Sequence, residues 1–108
     1  VQRLASDGAS GDGYGISVGT SGDYAVVGSY LDDNPSNSGS AYIIERGLGG
    51  SENWGERKRL VAQLPSTASD AAANDRFGES VAMDGDWAVI GAPEKNTARG
   101  AVYLYHRN

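Results

Sequence analysis

Asp32, Asp33 and Asn34 stand side by side, and adjacent side-chain oxygens of this kind are what a hard cation binds. Asp7, Asp12, Asp70, Asp75 and Glu94 fall in similar polar, turn-rich segments. Together with Asp32 and Asp33 they make seven of the 14 acidic residues. Gathered on one rim, with Lys95 beside Glu94, they would suit a cation-dependent ligand or a hydroxyl-rich one such as a sugar. Asp32, Asp33, Asn34, Glu94 and Lys95 are the candidate ligand-binding residues, and Asp32 and Asp33 the candidates for a metal. A second reading of Asp12 and Asp75 is structural: an Asp in a tight turn accepts backbone N–H groups.

Catalytic groups are sparse. His106 is the single histidine and there is no cysteine, so thiolate chemistry, disulfides and cysteine-ligated zinc are excluded. No Gly-x-Ser-x-Gly elbow occurs. Gly11 to Gly15 reads Gly-x-Gly-x-Gly, yet no helix follows to complete a phosphate cradle. A carboxylate pair for glycoside hydrolysis depends on spatial separation, so a small hydrolase stays as an alternative. The main reading is a protein that is not an enzyme. The formal charge of −5 and the lack of a basic stripe argue against nucleic acid. The densest basic spot, Glu56-Arg57-Lys58-Arg59, reads as a solvated strand edge. No apolar run is long enough for a membrane span, and no signal peptide is visible. A start at Val1 fits a processed chain or a piece of a longer one.

The elements that must position these groups are set by a duplication. Asp12 to Gly28 aligns without a gap on Asp75 to Gly91, with nine of 17 positions identical. Tyr14 replaces Phe77, Tyr24 replaces Trp87 and Val27 replaces Ile90. Each copy is two short apolar runs joined at Ser21-Gly22 or Asp84-Gly85, a hairpin signal expected to form a type I′ turn. Strands are expected near 15–20, 23–28, 40–45, 54–62, 78–83, 86–91 and 100–106, with loops at 29–38, 63–74 and 93–99. Tyr24-Ala25-Val26-Val27 is continuously apolar, which fits a strand covered on both faces. Tyr24 and Trp87, at one repeat position, are expected in the core. Trp54, on the more polar fourth strand, either anchors a subunit contact or covers an edge.

The result is an all-β fold of two four-stranded antiparallel blades. The first spans 1–62 with a strand remnant at 1–4. The second, 63–108, lacks its own fourth strand. Repeats of four strands with buried inner strands are the units of β-propellers, and one such unit cannot bury both of its faces alone.

Phe77-Gly78, then Gly91-Ala92-Pro93, then Gly100-Ala101-Val102-Tyr103 resemble the FG-GAP repeat. The first copy is a degenerate match, with Tyr14-Gly15 and Gly28-Ser29-Tyr30. This resemblance implies an extracellular or cell-surface propeller, integrin-like, used in binding or adhesion to a protein or carbohydrate ligand. It also implies a calcium loop between the first two strands of a blade. Here that loop is a two-residue turn, too short for six to eight oxygen ligands. No cofactor is expected, and calcium is left only to Asp32 and Asp33.

Assembly is expected to run through the ends. Val1, Gln2, Arg3 and Leu4 match Arg57 to Leu60, so they read as the tail of a fourth strand. They would pair with Val102, Tyr103, Leu104 and Tyr105 of a neighbouring copy, giving a ring or a fibre. The functional alternatives are a structural subunit of such an assembly, a lectin-like propeller and the small hydrolase.

Overall fold

The computed structural model describes residues 2, 4, 5, 7–32, 37–48, 54–62 and 72–107, and of Asn96 the backbone only. Val1, Arg3, Asp33, Asn34 and Asp70 lie outside the described residues. Among the described residues seven strands form two antiparallel sheets. β1 (Tyr14–Ser21), β2 (Tyr24–Ser29), β3 (Ser40–Arg46) and β4 (Trp54–Leu60) make the first blade in that spatial order. β5 (Ser80–Asp84), β6 (Trp87–Ala92) and β7 (Ala101–His106) make the second. Lys95–Ala98 form one helical turn, α1, inside the expected 93–99 loop. No helix among the described residues is long and apolar enough to cross a membrane.

The hairpins close one residue later than the Asp-Gly signal placed them. Ser21 pairs with Tyr24 and Asp84 with Trp87, so the loop residues are Gly22-Asp23 and Gly85-Asp86. Only the glycine of each pair has positive φ, at 60° and 56°. That is the pattern of a type II′ turn rather than type I′, with glycine where a side chain would be strained. The two Asp side chains then clasp the ends of the third strands. Arg46 and Arg107 each donate a backbone N–H to the Asp carbonyl at 2.8 Å, and each guanidinium pairs with the same Asp carboxylate.

The two blades pack face to face. Val26, Ala41, Leu60, Ala62, Phe77, Ile90 and Ala92 form the buried cluster, flanked by Ile43, Val81, Met83, Tyr103 and Tyr105. Phe77 is fully buried, with the Tyr103 ring edge-on at 5.4 Å. Burying such a ring is worth about 1.5–3 kcal/mol. Hydrogen bonds fix the joint. The Phe77 N–H donates to Ser38 O at 2.9 Å, the Ser17 hydroxyl to Gly78 O at 2.9 Å, and the Gly85 N–H to Ser21 Oγ at 2.9 Å. Gly28 lies directly under the Gly78 carbonyl, where a Cβ would overlap that oxygen. A backbone can approach a strand so closely only over glycine.

One expected core residue is not in the core. Tyr24 is half-buried at the joint under the Arg107 guanidinium, 4.2 Å from its ring centre. Trp87, its repeat partner, is 47% exposed and touches only the His106 ring among the aromatics described. The position is covered when a blade lies against that face, and among the described residues only the first blade has one there.

Candidate functional site

The acidic rim resolves into two internal networks instead of one open cluster. In the first blade, Asp32 leaves the end of β2 and is buried against β3 and β4. Its carboxylate accepts the Ser40 hydroxyl, the Tyr42 hydroxyl at 3.1 Å and the Arg59 guanidinium at 2.8 Å. Burial raises the Asp32 pKa, but the bonds from Ser40 and Arg59 outweigh it and hold the carboxyl below its ordinary value. Tyr42 also reaches the Asp7 carboxylate at 2.6 Å. Burial, then Asp7, push its phenol well above the usual range, so it remains a neutral donor. Arg59 closes the ring with a 3.4 Å approach to Asp7. This is a latch that ties the outer strand to the blade. A cation at Asp32 would have to displace Arg59.

In the second blade, Lys95 is buried rather than presented to a ligand. Its ammonium pairs at 3.1 Å with Asp75, also buried, whose carboxylate accepts the Ala72 N–H at 3.0 Å. Asp12 accepts the Ala9 N–H in the same way at 2.9 Å, so both acids hold turns. Glu94 is exposed beside them, and its N–H donates to Asp75 O at 3.4 Å. Asp32 and Lys95 therefore sit in separate networks. Among the described residues no three His, Cys, Asp or Glu side chains converge as a metal site would need.

Sequence reasoning missed Arg59 and Tyr42. Arg59 was read with its neighbours as a solvated edge; Glu56, Arg57 and Lys58 are exposed, and Arg59 is half-buried. The available signal was Tyr42 itself, a polar-tipped aromatic repeated at Tyr103 inside an apolar strand. Such a residue needs a partner for its hydroxyl when buried. Tyr105, facing the joint, satisfies the same demand by donating to Val61 O at 2.6 Å, and burial pushes its pKa up to about 12.

Both blades leave apolar side chains exposed, Ile16 and Val18 on the first and Trp87, Val102 and Leu104 on the second. β7 is bonded to β6 on one side, while its counterpart β3 carries β4. Between β7 and β4 runs a cleft of about 260 Å³. Leu60, Met83 and Tyr105 give it apolar walls, and Arg57, Lys58 and Arg107 a basic rim. Tyr103 and Tyr105 turn toward the joint, whereas Val102 and Leu104 point outward and are 64% and 61% exposed. Leu4 is 74% exposed, and Trp54 is half-buried on the outer strand.

Phe77 and Gly78 thus form the element that seats one blade on the other, and Gly91-Ala92-Pro93 and Gly100 bracket the next turn. A family model described as the FG-GAP repeat matches residues 2–44 and 54–105. The chain belongs to the FG-GAP repeat family. The second matched segment begins at Trp54 in β4 and runs through β5, β6 and β7. FG-GAP repeats build propeller-type modules, are generally non-enzymatic and are typical of extracellular or surface proteins. No curated protein matches this FG-GAP chain.

Proposed function

We propose that this FG-GAP chain is a non-enzymatic extracellular module for binding or adhesion, and that it joins copies of itself head-to-tail by strand addition at β7. The observation that carries this reading is the difference in strand number. The first blade holds its third strand between two ladders, and among the described residues β7 has one. The edge strand of a sheet offers main-chain donors and acceptors to an incoming strand, and pockets beside it select side chains. The cleft between β7 and β4 supplies such pockets. The segment Val1-Gln2-Arg3-Leu4 is the proposed donor, by its likeness to Arg57 to Leu60. A head-to-tail contact closes into a ring or continues as a fibre.

Light scattering on the intact chain, and on a version without residues 1–6, tests the proposal. The intact chain is expected to exceed the 11.2 kDa of one copy and the shortened one to fall to it. A folded chain of single-copy mass that is unchanged by the deletion overturns strand addition.

A further inference from the structure

We propose that a carboxylate-binding site lies where the loop before β3 meets the loop before β5, built by Arg76 and Asn74 with Asn37 beside them, and that it takes an acidic side chain of a peptide partner. The site rests on the binding reading above and owes nothing to strand addition at β7.

Two glycines of the first repeat mark the place. Gly11 and Gly13 flank Asp12 with φ of 91° and 73°, in the left-handed region that glycine enters without strain. Asp12 holds this turn by accepting the Ala9 N–H, and Asp75 holds the copy by accepting the Ala72 N–H. In the copy the flanking residues are Asn74 and Arg76, at φ of 67° and 60°. The backbone conformation is repeated, and the residue that suits it is not. Asn tolerates this region, whereas an arginine there is uncommon. Strain of this kind clusters where a side chain serves a site.

Asn37 is a third left-handed residue, at φ 53°. It meets the other two across the joint between the blades. Its carbonyl accepts the Arg76 N–H at 3.2 Å, and its side-chain amide lies 3.4 Å from the Asn74 side-chain oxygen.

Arg76 is braced without being consumed. Its guanidinium lies 5.8 Å from the Tyr30 ring centre. Tyr30 in turn packs against Gly13, where a Cβ would overlap the ring. A guanidinium steadied by a ring still has a fork of donors for a carboxylate. Its ionic partner is Glu79 at 3.7 Å, and the two side chains are 44% and 37% exposed. A surface pair of this kind contributes little and yields to a carboxylate that takes two hydrogen bonds. Asn74 is exposed, and its amide adds a donor. The neighbouring acid, Asp75, is already paired with Lys95. Because Arg76 covers the Tyr30 ring, the patch favours an anion over a stacked sugar.

Nuclear magnetic resonance titration of the full chain with the blocked peptide acetyl-Gly-Asp-Gly-amide tests this, with acetyl-Gly-Asn-Gly-amide as the control. The acidic peptide is expected to shift the signals of Asn74 and Arg76, and the control to bind about tenfold more weakly or less. Arg76→Gly and Asn74→Gly are each expected to weaken binding by about tenfold. Both should keep or raise the thermal midpoint, because glycine is the unstrained residue at these positions. No shift at either residue up to about 10 mM peptide, a range that covers weak carboxylate contacts, overturns the proposal. Equal binding of the control overturns it too, as does wild-type binding by Arg76→Gly. A lowered midpoint for Arg76→Gly would show that the arginine is kept for the joint, and overturns it as well. Shifts confined to β7 would put the peptide on the strand edge, so that the carboxylate site fails and strand addition stands. Arg76→Gly should leave the mass by light scattering as it is in the wild type, so the two readings fail separately.

Discussion

The two blades share a hairpin but secure the loop after it with opposite charges. Aligned on Asp32 of the first blade is Lys95 of the second. Asp32 reaches outward and grips Arg59 on β4. Lys95 turns inward to Asp75 and is satisfied within its own loops. The first blade is thus latched to a charged outer strand, and at the matching position the second has a lysine already paired. An arginine in the register of Arg59 on a strand added at β7 finds Lys95 already paired. The proposed strand addition would therefore rest on main-chain bonds and apolar contact.

The most severe test of that comparison is Phe77→Ala against Tyr14→Ala. The same repeat position is sealed between blades in one case and open on one side in the other. Truncating Phe77 is expected to cost about 3–5 kcal/mol in chemical denaturation and Tyr14 about 1 kcal/mol. Equal losses would mean that the blades are not one cooperative unit around the joint.

Lys95→Ala comes next, at about 3 kcal/mol, because it removes the cation from the buried Asp75 carboxylate while the Ala72 N–H bond remains. Lys95→Ala with Asp75→Ala should recover part of that loss in a double-mutant cycle. No recovery would show that the pair is not coupled.

Glycine substitutions sharpen the contrast at the two faces. Gly28→Ala forces a methyl into the Gly78 carbonyl and is expected to cost about 1–3 kcal/mol. Gly91→Ala meets only the movable Ser80 hydroxyl and should change the thermal midpoint of the single chain little. A reversed order would move the close approach to the wrong blade.

The smallest effect is in the acid limb. The folded-state pKa of Asp32 lies below its ordinary 3.8, so the unfolded chain binds more protons between the two values. Its stabilisation is complete above that window and is lost as pH falls through the folded value. Asp32→Asn should flatten stability against pH below about pH 4, where unpaired carboxylates titrate. An unchanged acid limb would mean that Arg59 does not hold the carboxylate in solution.

Seven strands were legible because the duplicated hairpin carries its own punctuation: glycine at each turn and apolar runs on both sides. The turn type was not, since Gly-Asp and Asp-Gly overlap in the sequence and cross-strand register chooses between them. Trp87 was misplaced for a different reason. Its type fits a core, and its burial depends on whether a neighbour covers the face. The pairing of Asp32 was not legible because an acidic residue looks the same in sequence whether it faces solvent or an arginine two strands away. Asp32 and Arg59 are 27 positions apart, and only the return of β4 alongside β3 joins them.

The register shift in the β3–β4 ladder, between Ile43 and Ile44, has a consequence for misassembly. It marks a bulge, and the strand that carries it also turns Arg57 and Lys58 to solvent. A kinked, cationic outer strand is a poor template for further pairing. The ladder joining β7 to β6 runs without a shift and ends in a straight apolar strand. Among the described residues the two outer strands therefore differ: the β4 edge disfavours further pairing, and the β7 edge would permit it. Cross-β conversion of a destabilised chain should start at β7, and a short peptide that caps this edge should delay it at substoichiometric ratios, by poisoning growing ends rather than by binding every monomer.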